Sequence, residues 1–281
     1  MDNLDYLVEC NFTCSLDTID PRYTSHTKYE LFLLLEGHAS MLINSERYQL
    51  TRGSLVLLTC DDVHLSINNS EVPYRRVTMH FNPQIIQMYN TERTNLLACF
   101  ATAKKENRHI IQLTEEKTAQ YLDTAQKIAG LWGSSAYGDD LTAITLLIQH
   151  LIFLNRIYRR KADAKPLKAS PIVRQIIHYV DKHIGEPITV GMLAAQYAYS
   201  ESRISTMFSS EMGVPLRRYI IVRKIIYAQN LLREGCTVEQ ACSGAGFNDY
   251  CNFIRTFKNV AGLSPRQWQW QLTTREERNH G

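Results

Sequence analysis

The stretch from residue 246 to residue 268, GFNDYCNFIRTFKNVAGLSPRQW, decides the fold of the second half of this 281-residue chain. Its opening glycine suits a turn that needs a positive φ, and Asn248 or Asp249 suits the first position of a helix. Phe253 and Phe257 are four residues apart, so they share one face of that helix and indicate a buried side. The stretch therefore predicts a tight turn followed by an amphipathic helix.

The same pattern occurs 48 or 49 residues earlier in the chain. Each copy begins with a threonine suited to cap a short helix, continues through a tight turn and ends in a second helix. This order predicts two helix-turn-helix units, over about residues 189–211 and 237–260, whose second helices enter the major groove of DNA. The matching pairs are Thr189 and Thr237, Leu193 and Ala241, Ala194 and Cys242, Tyr199 and Phe247, Phe208 and Phe257, and Gly213 and Gly262.

A long helix is predicted between the two units, over Pro215–Arg233. Proline suits its first turn and Gly235 follows its end. About 19 residues at 1.5 Å each give a length of ~28 Å, close to the repeat of the DNA duplex. This spacing would place the two reading helices on successive major-groove turns of one DNA face.

These residues, above all the stretch from Gly246 to Trp268, resemble the DNA-binding domain of the AraC/XylS family of bacterial transcription regulators over about 100 residues. The resemblance implies that double-stranded DNA, as a promoter or operator, is the partner, and that RNA polymerase is a second partner if the protein is an activator. Arg255 can pair bidentately with guanine or reach a phosphate, and Arg203 is a candidate for a phosphate contact. On the faces that touch bases in the family, the first reading helix carries Ser202, Ser205 and Thr206, and the second carries Tyr250, Cys251 and Arg255.

The first half has a different pattern. Between Tyr29 and Phe81, short apolar and β-branched runs alternate with turn residues, which is typical of a β-sandwich or β-barrel. After Asn82-Pro83 the apolar spacing changes to about 3.6 residues and predicts helices over 115–131 and 140–158. The fold class predicted for the whole chain is therefore α+β with two domains, a β-barrel with appended helices followed by an all-α domain.

Two motifs in the first half resemble those of the cupin barrel: His26-x3-Glu30-x6-Gly37 and Gly53-x10-His64-x3-Asn68. Thr24, His26 and Glu30 share one face of a strand and would point into the barrel toward His64. Two histidines and a carboxylate are able to hold iron, but Thr24 stands where the cupin pattern has a further histidine. A metal centre, a pocket for a small organic ligand and a set of structural polar residues all stay open, and we favour the ligand pocket without a metal or other cofactor.

The helix over 140–158 is unusually rich in leucine and isoleucine. Such a wide apolar stripe packs either against the barrel or against the same helix of a second chain. Because a small barrel offers little surface to cover it, we favour a homodimer interface.

Charge divides the chain in the same place as the motifs do. Residues 1–160 contain 15 basic and 18 acidic residues, whereas 171–281 contain 13 basic and 9 acidic ones. The stretch 161–170 is polar, charged and interrupted by a proline, as linkers are. We therefore expect a ligand-sensing and dimerisation domain at 1–160, a linker at 161–170 and a DNA-binding domain at 171–281.

These features predict a sequence-specific transcription regulator controlled by a small-molecule effector, with a sugar or related metabolite as the favoured effector. The alternatives are a metal-dependent cupin enzyme fused to a nucleic-acid-binding module, and an architectural DNA-binding protein whose barrel only dimerises. We expect no catalytic residues, because no nucleophile, phosphate-loop or metalloprotease motif is present in the sequence. The seven cysteines are scattered, which favours free thiols in the cytoplasm. The acidic start of the chain does not resemble a secretory signal, and the apolar runs are too short to span a membrane, so we expect no membrane partner.

Overall fold

The computed structural model describes residues 7–15, 28–44, 46–68, 73–131, 134, 136–159 and 169–270. A β-rich domain is followed by an all-helical one, which confirms the predicted fold class. The strands are β1 (Val8–Ser15), β2 (Tyr29–Glu36), β3 (Ala39–Ile43), β4 (Glu46–Leu50), β5 (Ser54–Leu58), β6 (His64–Asn68), β7 (Tyr74–Phe81) and β8 (Ile110–Gln112). The helices are α1 (Pro83–Gln87), α2 (Ala98–Glu106), α3 (Glu115–Gly130), α4 (Asp139–Tyr158), α5 (Pro171–Lys182), α6 (Val190–Gln196), α7 (Glu201–Met212), α8 (Leu216–Arg233), α9 (Val238–Gly244) and α10 (Tyr250–Ala261).

The strands form two antiparallel sheets. One has the order β1-β7-β2-β5-β8 and the other β4-β3-β6. Alternate residues of β2 belong to two different clusters, as the period of two in a strand requires. Phe32 and Leu34 pack between the sheets, whereas Leu31 and Leu33 pack under the helices that follow the barrel.

Helices α3 and α4 cover the outer face of the five-stranded sheet. Leu147 and Leu151 of α4 are fully buried in this core together with Tyr121 of α3. Most of the apolar stripe that we assigned to a dimer interface is therefore packed within the chain itself. By length and composition alone α4 would also suit a membrane-spanning helix; however, a helix that packs in a protein core, as this one does, meets the same criteria.

The helical domain has the predicted repeat. Helices α6 and α7 form the first unit, α9 and α10 the second, and α8 lies between them. The Thr189 and Thr237 side chains accept hydrogen bonds from the backbone N–H groups of Met192 and Gln240, and so cap α6 and α9 as expected. Of the two predicted caps for the last helix, Asp249 is the one used.

The two domains share a core. On the outer face of the three-stranded sheet, Leu42, Leu65 and Ile67 are buried together with the apolar side chains of α5, α7 and α8. Beside them, Arg47 Nη1 donates hydrogen bonds to the carbonyl oxygens of Ser210 (3.3 Å) and Glu211 (3.1 Å) at the C-terminal end of α7. A cation there is stabilised by the partial negative charge of the helix end.

Most of the predicted linker, residues 161–168, lies outside the described residues; α4 ends at Tyr158 and α5 begins at Pro171. All seven cysteines are free thiols, as expected. Sequence reasoning missed β1, β8, the short helices α1 and α2, and α5.

His150 on α4 is a polar residue in an apolar core. Its ring packs edge-on against Tyr121, with centroids 4.4 Å apart, and within the described part of the chain neither ring nitrogen has a hydrogen-bond partner. Burial lowers the pKa of His150 to about 3. A histidine in an unfolded chain has a pKa of about 6.5, so the unfolded chain takes up a proton between these pH values that the folded chain does not.

We therefore predict that the free energy of unfolding falls as the pH drops below about 6.5, by up to about 1.4 kcal/mol per pH unit from this residue. The substitution His150→Leu should reduce this slope, because it removes the buried imidazole. Urea titrations between pH 7 and pH 4 measure the slope, and His38→Leu, at an exposed histidine, is the control. Equal slopes in the wild type and in His150→Leu would contradict the prediction.

Candidate DNA-binding surface and ligand pocket

The second reading helix, α10, is held by its aromatic face. Phe253 and Phe257 are fully buried, and their ring centroids lie 5.7 Å apart, with Phe247 and Trp268 extending the stack at 5.2 and 6.3 Å. These edge-to-face contacts fix the rotation of the helix about its axis. The side chains that point away from this core therefore have a defined direction.

The exposed face of α10 carries the three residues that we predicted to contact DNA, Tyr250, Cys251 and Arg255. Arg255 Nη2 donates a hydrogen bond to Asn252 Oδ1 (3.2 Å), which lies one helical turn earlier. This contact orients the guanidinium while leaving its other donors available. The geometry suits bidentate recognition of a guanine edge or of a phosphate.

The first reading helix, α7, has an equivalent arrangement. Ile204, Phe208 and Met212 are buried, whereas Ser202, Arg203 and Thr206 are exposed and Ser205 is half-buried. The Arg203 guanidinium lies over the Tyr199 ring, 5.6 Å from its centroid. The exposed face of α7 thus carries mainly hydroxyl groups, and Arg203 lies at the edge of that face.

The barrel interior is polar at one end. Glu30 and His64, predicted from the cupin-like motifs, are both buried and in contact, with 3.0 Å between Glu30 Oε2 and His64 Nε2. His80, which the sequence motifs did not reveal, contacts the same carboxylate oxygen through Nε2 at 3.2 Å. Thr24 and His26, the other two predicted pocket residues, lie outside the described residues.

The charges of this cluster depend on each other. Burial by itself would lower the pKa of His64, but the neighbouring Glu30 carboxylate, together with Asp62, holds it above the ordinary value for histidine. The backbone carbonyl of Asp62 lies 3.0 Å from His64 Nδ1. A protonated His64 is thus stabilised from both sides of its ring.

Further polar groups extend the cluster across the barrel. Glu9 of β1 lies opposite His80 in the strand register, and Lys28 Nζ lies 3.4 Å from Glu9 Oε2. Asn11 donates a hydrogen bond to the other oxygen of Glu9 (2.8 Å). Carboxylates, imidazoles and an amide side by side both donate and accept hydrogen bonds, which suits a ligand rich in hydroxyl groups.

Glu30, His64 and His80 are of the residue types that also ligate metal ions. The Nε2 atoms of His64 and His80 both lie within hydrogen-bond distance of the same oxygen, Glu30 Oε2. Across the described ranges, no group of three or more histidine, cysteine, aspartate or glutamate side chains is arranged to hold a metal ion.

Comparison with known proteins matches both halves of the chain. A family model described as an AraC-like ligand binding domain matches residues 14–151, and a model described as a helix-turn-helix domain matches residues 193–271. The HTH-type transcriptional activator RhaR of Escherichia coli is 19% identical over 258 residues, which cover 87% of this chain and 86% of the relative.

Two solved structures are also similar. ToxT from Vibrio cholerae, solved with an unsaturated fatty acid bound, is 16% identical and covers 98% of both chains with a TM-score of 0.43. The C-terminal domain of AraT from Geobacillus stearothermophilus is 24% identical, covering 37% of this chain and 88% of that one, with a TM-score of 0.36. By its two matched domains, this chain belongs to the AraC family of transcription regulators, with a ligand-binding domain and a helix-turn-helix DNA-binding domain.

Proposed function

We propose that this regulator binds a promoter or operator through α7 and α10, and that a small molecule bound inside the barrel controls the outcome. The single observation that carries the proposal is the pairing of two exposed, capped reading helices with a buried polar cluster in the other domain. In this proposal residues 1–160 sense the effector and dimerise, 161–170 link the domains and 171–281 bind DNA.

The proposed effector class follows from the polar side chains clustered inside the barrel. These side chains offer alternating hydrogen-bond donors and acceptors, which suit the hydroxyl groups of a sugar or a related metabolite. They belong to Glu9, Lys28, Glu30, His64 and His80. The protein then acts in the cytoplasm as a regulator and not as an enzyme, and RNA polymerase is a partner if it activates.

The assignment of Arg255 to base reading leads to a first prediction. Arg255→Ala should weaken binding to the preferred site by about 1–3 kcal/mol and relax the preference at one base pair. Arg255→Lys keeps the charge but loses the bidentate geometry, so it should relax the same base pair while retaining the salt dependence of binding. Titrations of labelled duplexes at several salt concentrations measure both effects. A uniform loss over all sequences would assign Arg255 to a phosphate instead.

The pocket leads to a second prediction. Pentoses, hexoses and sugar acids are screened by thermal shift, with long-chain fatty acids as the contrasting class, because a ligand of the folded state raises the melting temperature. Glu30→Gln should abolish the shift produced by an active compound. Glu36→Gln, on the same strand but exposed beside Arg75, is the matched control and should keep the shift. An undiminished shift in a folded Glu30→Gln protein would place the effector elsewhere.

We also propose a homodimer that uses the outward side of α4. Leu141 is 62% exposed, and Ile148 and Ile152 are only partly buried. Their spacing places them on one side of the helix, about a quarter turn from the buried Leu147 and Leu151. An apolar seam of this kind is suited to contact the same seam of a second chain.

The third prediction concerns this seam. Ile148→Glu should dissociate the dimer, because it places a charge in an apolar contact; circular dichroism checks that the barrel core, against which Ile148 partly packs, remains folded. Analytical ultracentrifugation measures the association, and Thr142→Glu, at an exposed position on another side of α4, should leave it unchanged. A dimer of unchanged affinity in Ile148→Glu would move the interface to another surface.

A further inference from the structure

Lys224 lies in the middle of α8, the helix between the two helix-turn-helix units, and its side chain is buried. Its ammonium group donates hydrogen bonds to two backbone carbonyl oxygens, those of Glu186 at 2.8 Å and Gly246 at 2.9 Å. Glu186 belongs to the loop that leads into α6, and Gly246 belongs to the turn between α9 and α10. One side chain thus connects the entry of the first unit to the turn of the second.

The backbones that it joins are in direct contact. Gly246 has a φ of +67°, and a Cβ atom there would lie 2.7 Å from the carbonyl oxygen of Gly185 and 2.8 Å from that of Glu186. A Cβ atom on Gly185 would lie 2.8 Å from the carbonyl oxygen of Gly244. Such distances exclude any side chain at either glycine without a backbone shift. The close backbone contact therefore allows only one relative position of the loop and the turn.

The ammonium group of Lys224 lies at the contact between the loop before α6 and the turn between α9 and α10. In the part of the chain that the structure describes, no carboxylate forms an ion pair with Lys224; its other neighbour is the Phe247 ring, whose centroid lies 5.7 Å from Nζ. A buried ammonium is costly unless its N–H groups are bonded. Because two of its partners are fixed backbone oxygens, the ammonium holds the two segments at a defined separation.

The neighbouring residue of α8 forms an ion pair that shows the contrast. Arg223, the preceding residue of α8, pairs with Asp181 of α5 at 2.7 Å. That contact joins α8 only to the helix before the first unit. Lys224 is different because its two acceptors belong to different helix-turn-helix units, one to the loop that leads into α6 and the other to the turn that leads into α10.

We propose that Lys224 is a positioning residue for DNA binding: it fixes the turn of the second unit against the first and so sets the placement of α10 relative to α7. Both reading helices must meet major grooves of the same duplex at once. If the separation of α7 and α10 is fixed, binding of one helix to DNA places the other next to its own DNA segment at a high effective concentration. If the separation varies, this effective concentration falls. The proposal assigns to Lys224 no contact with DNA.

The test separates positioning from stability and from charge. The preferred duplex is selected from a random DNA pool with the wild-type protein, and footprinting defines the segment covered by each unit. Affinities are then measured for the full site and for two sites in which one segment is scrambled. The ratio of full-site to one-segment affinity reports how well the two units act together.

Three full-length variants are compared after circular dichroism has confirmed their fold. Lys224→Met keeps the apolar stem but has no donor, Lys224→Gln keeps an N–H donor without the charge, and Lys182→Met removes an exposed lysine from α5. Lys224→Met should lower the ratio by about tenfold, because effective concentration is lost, with less than about a threefold change in one-segment affinity. Lys224→Gln should fall between Lys224→Met and the wild type, and Lys182→Met should keep the wild-type ratio.

A wild-type ratio in folded Lys224→Met would overturn the proposal. An equal loss of affinity for the full and the one-segment sites would also overturn it, because that pattern belongs to a simple loss of charge or of folded protein. If Lys224→Met does not fold, the ratio for Lys224→Gln decides in its place: a reduced ratio supports positioning, and a wild-type ratio refutes it.

Discussion

The burial of the outer face of the β4-β3-β6 sheet under the DNA-binding helices is the constraint on which the rest of the arrangement depends. A three-stranded sheet with apolar residues on both faces needs a layer on each side. The five-stranded sheet covers one face, and α5, α7 and α8 cover Leu42, Leu65 and Ile67 on the other. Separating the domains would expose this apolar face to water, so the barrel and the first helix-turn-helix unit are held together.

Adjacent residues of strand β6 face the candidate ligand site and the domain interface. His64 points to the polar cluster around Glu30, whereas the next residue, Leu65, packs against the DNA-binding domain. Because successive side chains of a strand point to opposite faces, the candidate pocket and the domain interface are separated by the thickness of one strand. A ligand that shifts His64 therefore acts on a strand whose other face supports the first reading helix.

Sequence reasoning succeeded where the signals are local. The caps, the spacing of Phe253 and Phe257 and the repeated glycines act within one or two helical turns, so they predicted both helix-turn-helix units. It missed His80 because its contact with Glu30 follows from the register between β2 and β7, distant in the chain. Periodicity marked α4 as apolar but did not say that Leu147 and Leu151 face the chain's own core. The sequence pattern did not single out Lys224, because its two acceptors are backbone oxygens distant in the chain.

Two cations bonded to backbone carbonyls hold the segments next to the reading helices, one from the barrel and one from α8. Arg47 holds the last carbonyl groups of α7, and Lys224 holds the turn that leads into α10. Because their acceptors are backbone oxygens, these contacts fix the path of the chain and leave the side chains of α7 and α10 available for DNA. The reading faces remain exposed while the domains are docked. Control by the barrel therefore needs only to change where the reading helices are held, and does not require it to cover them.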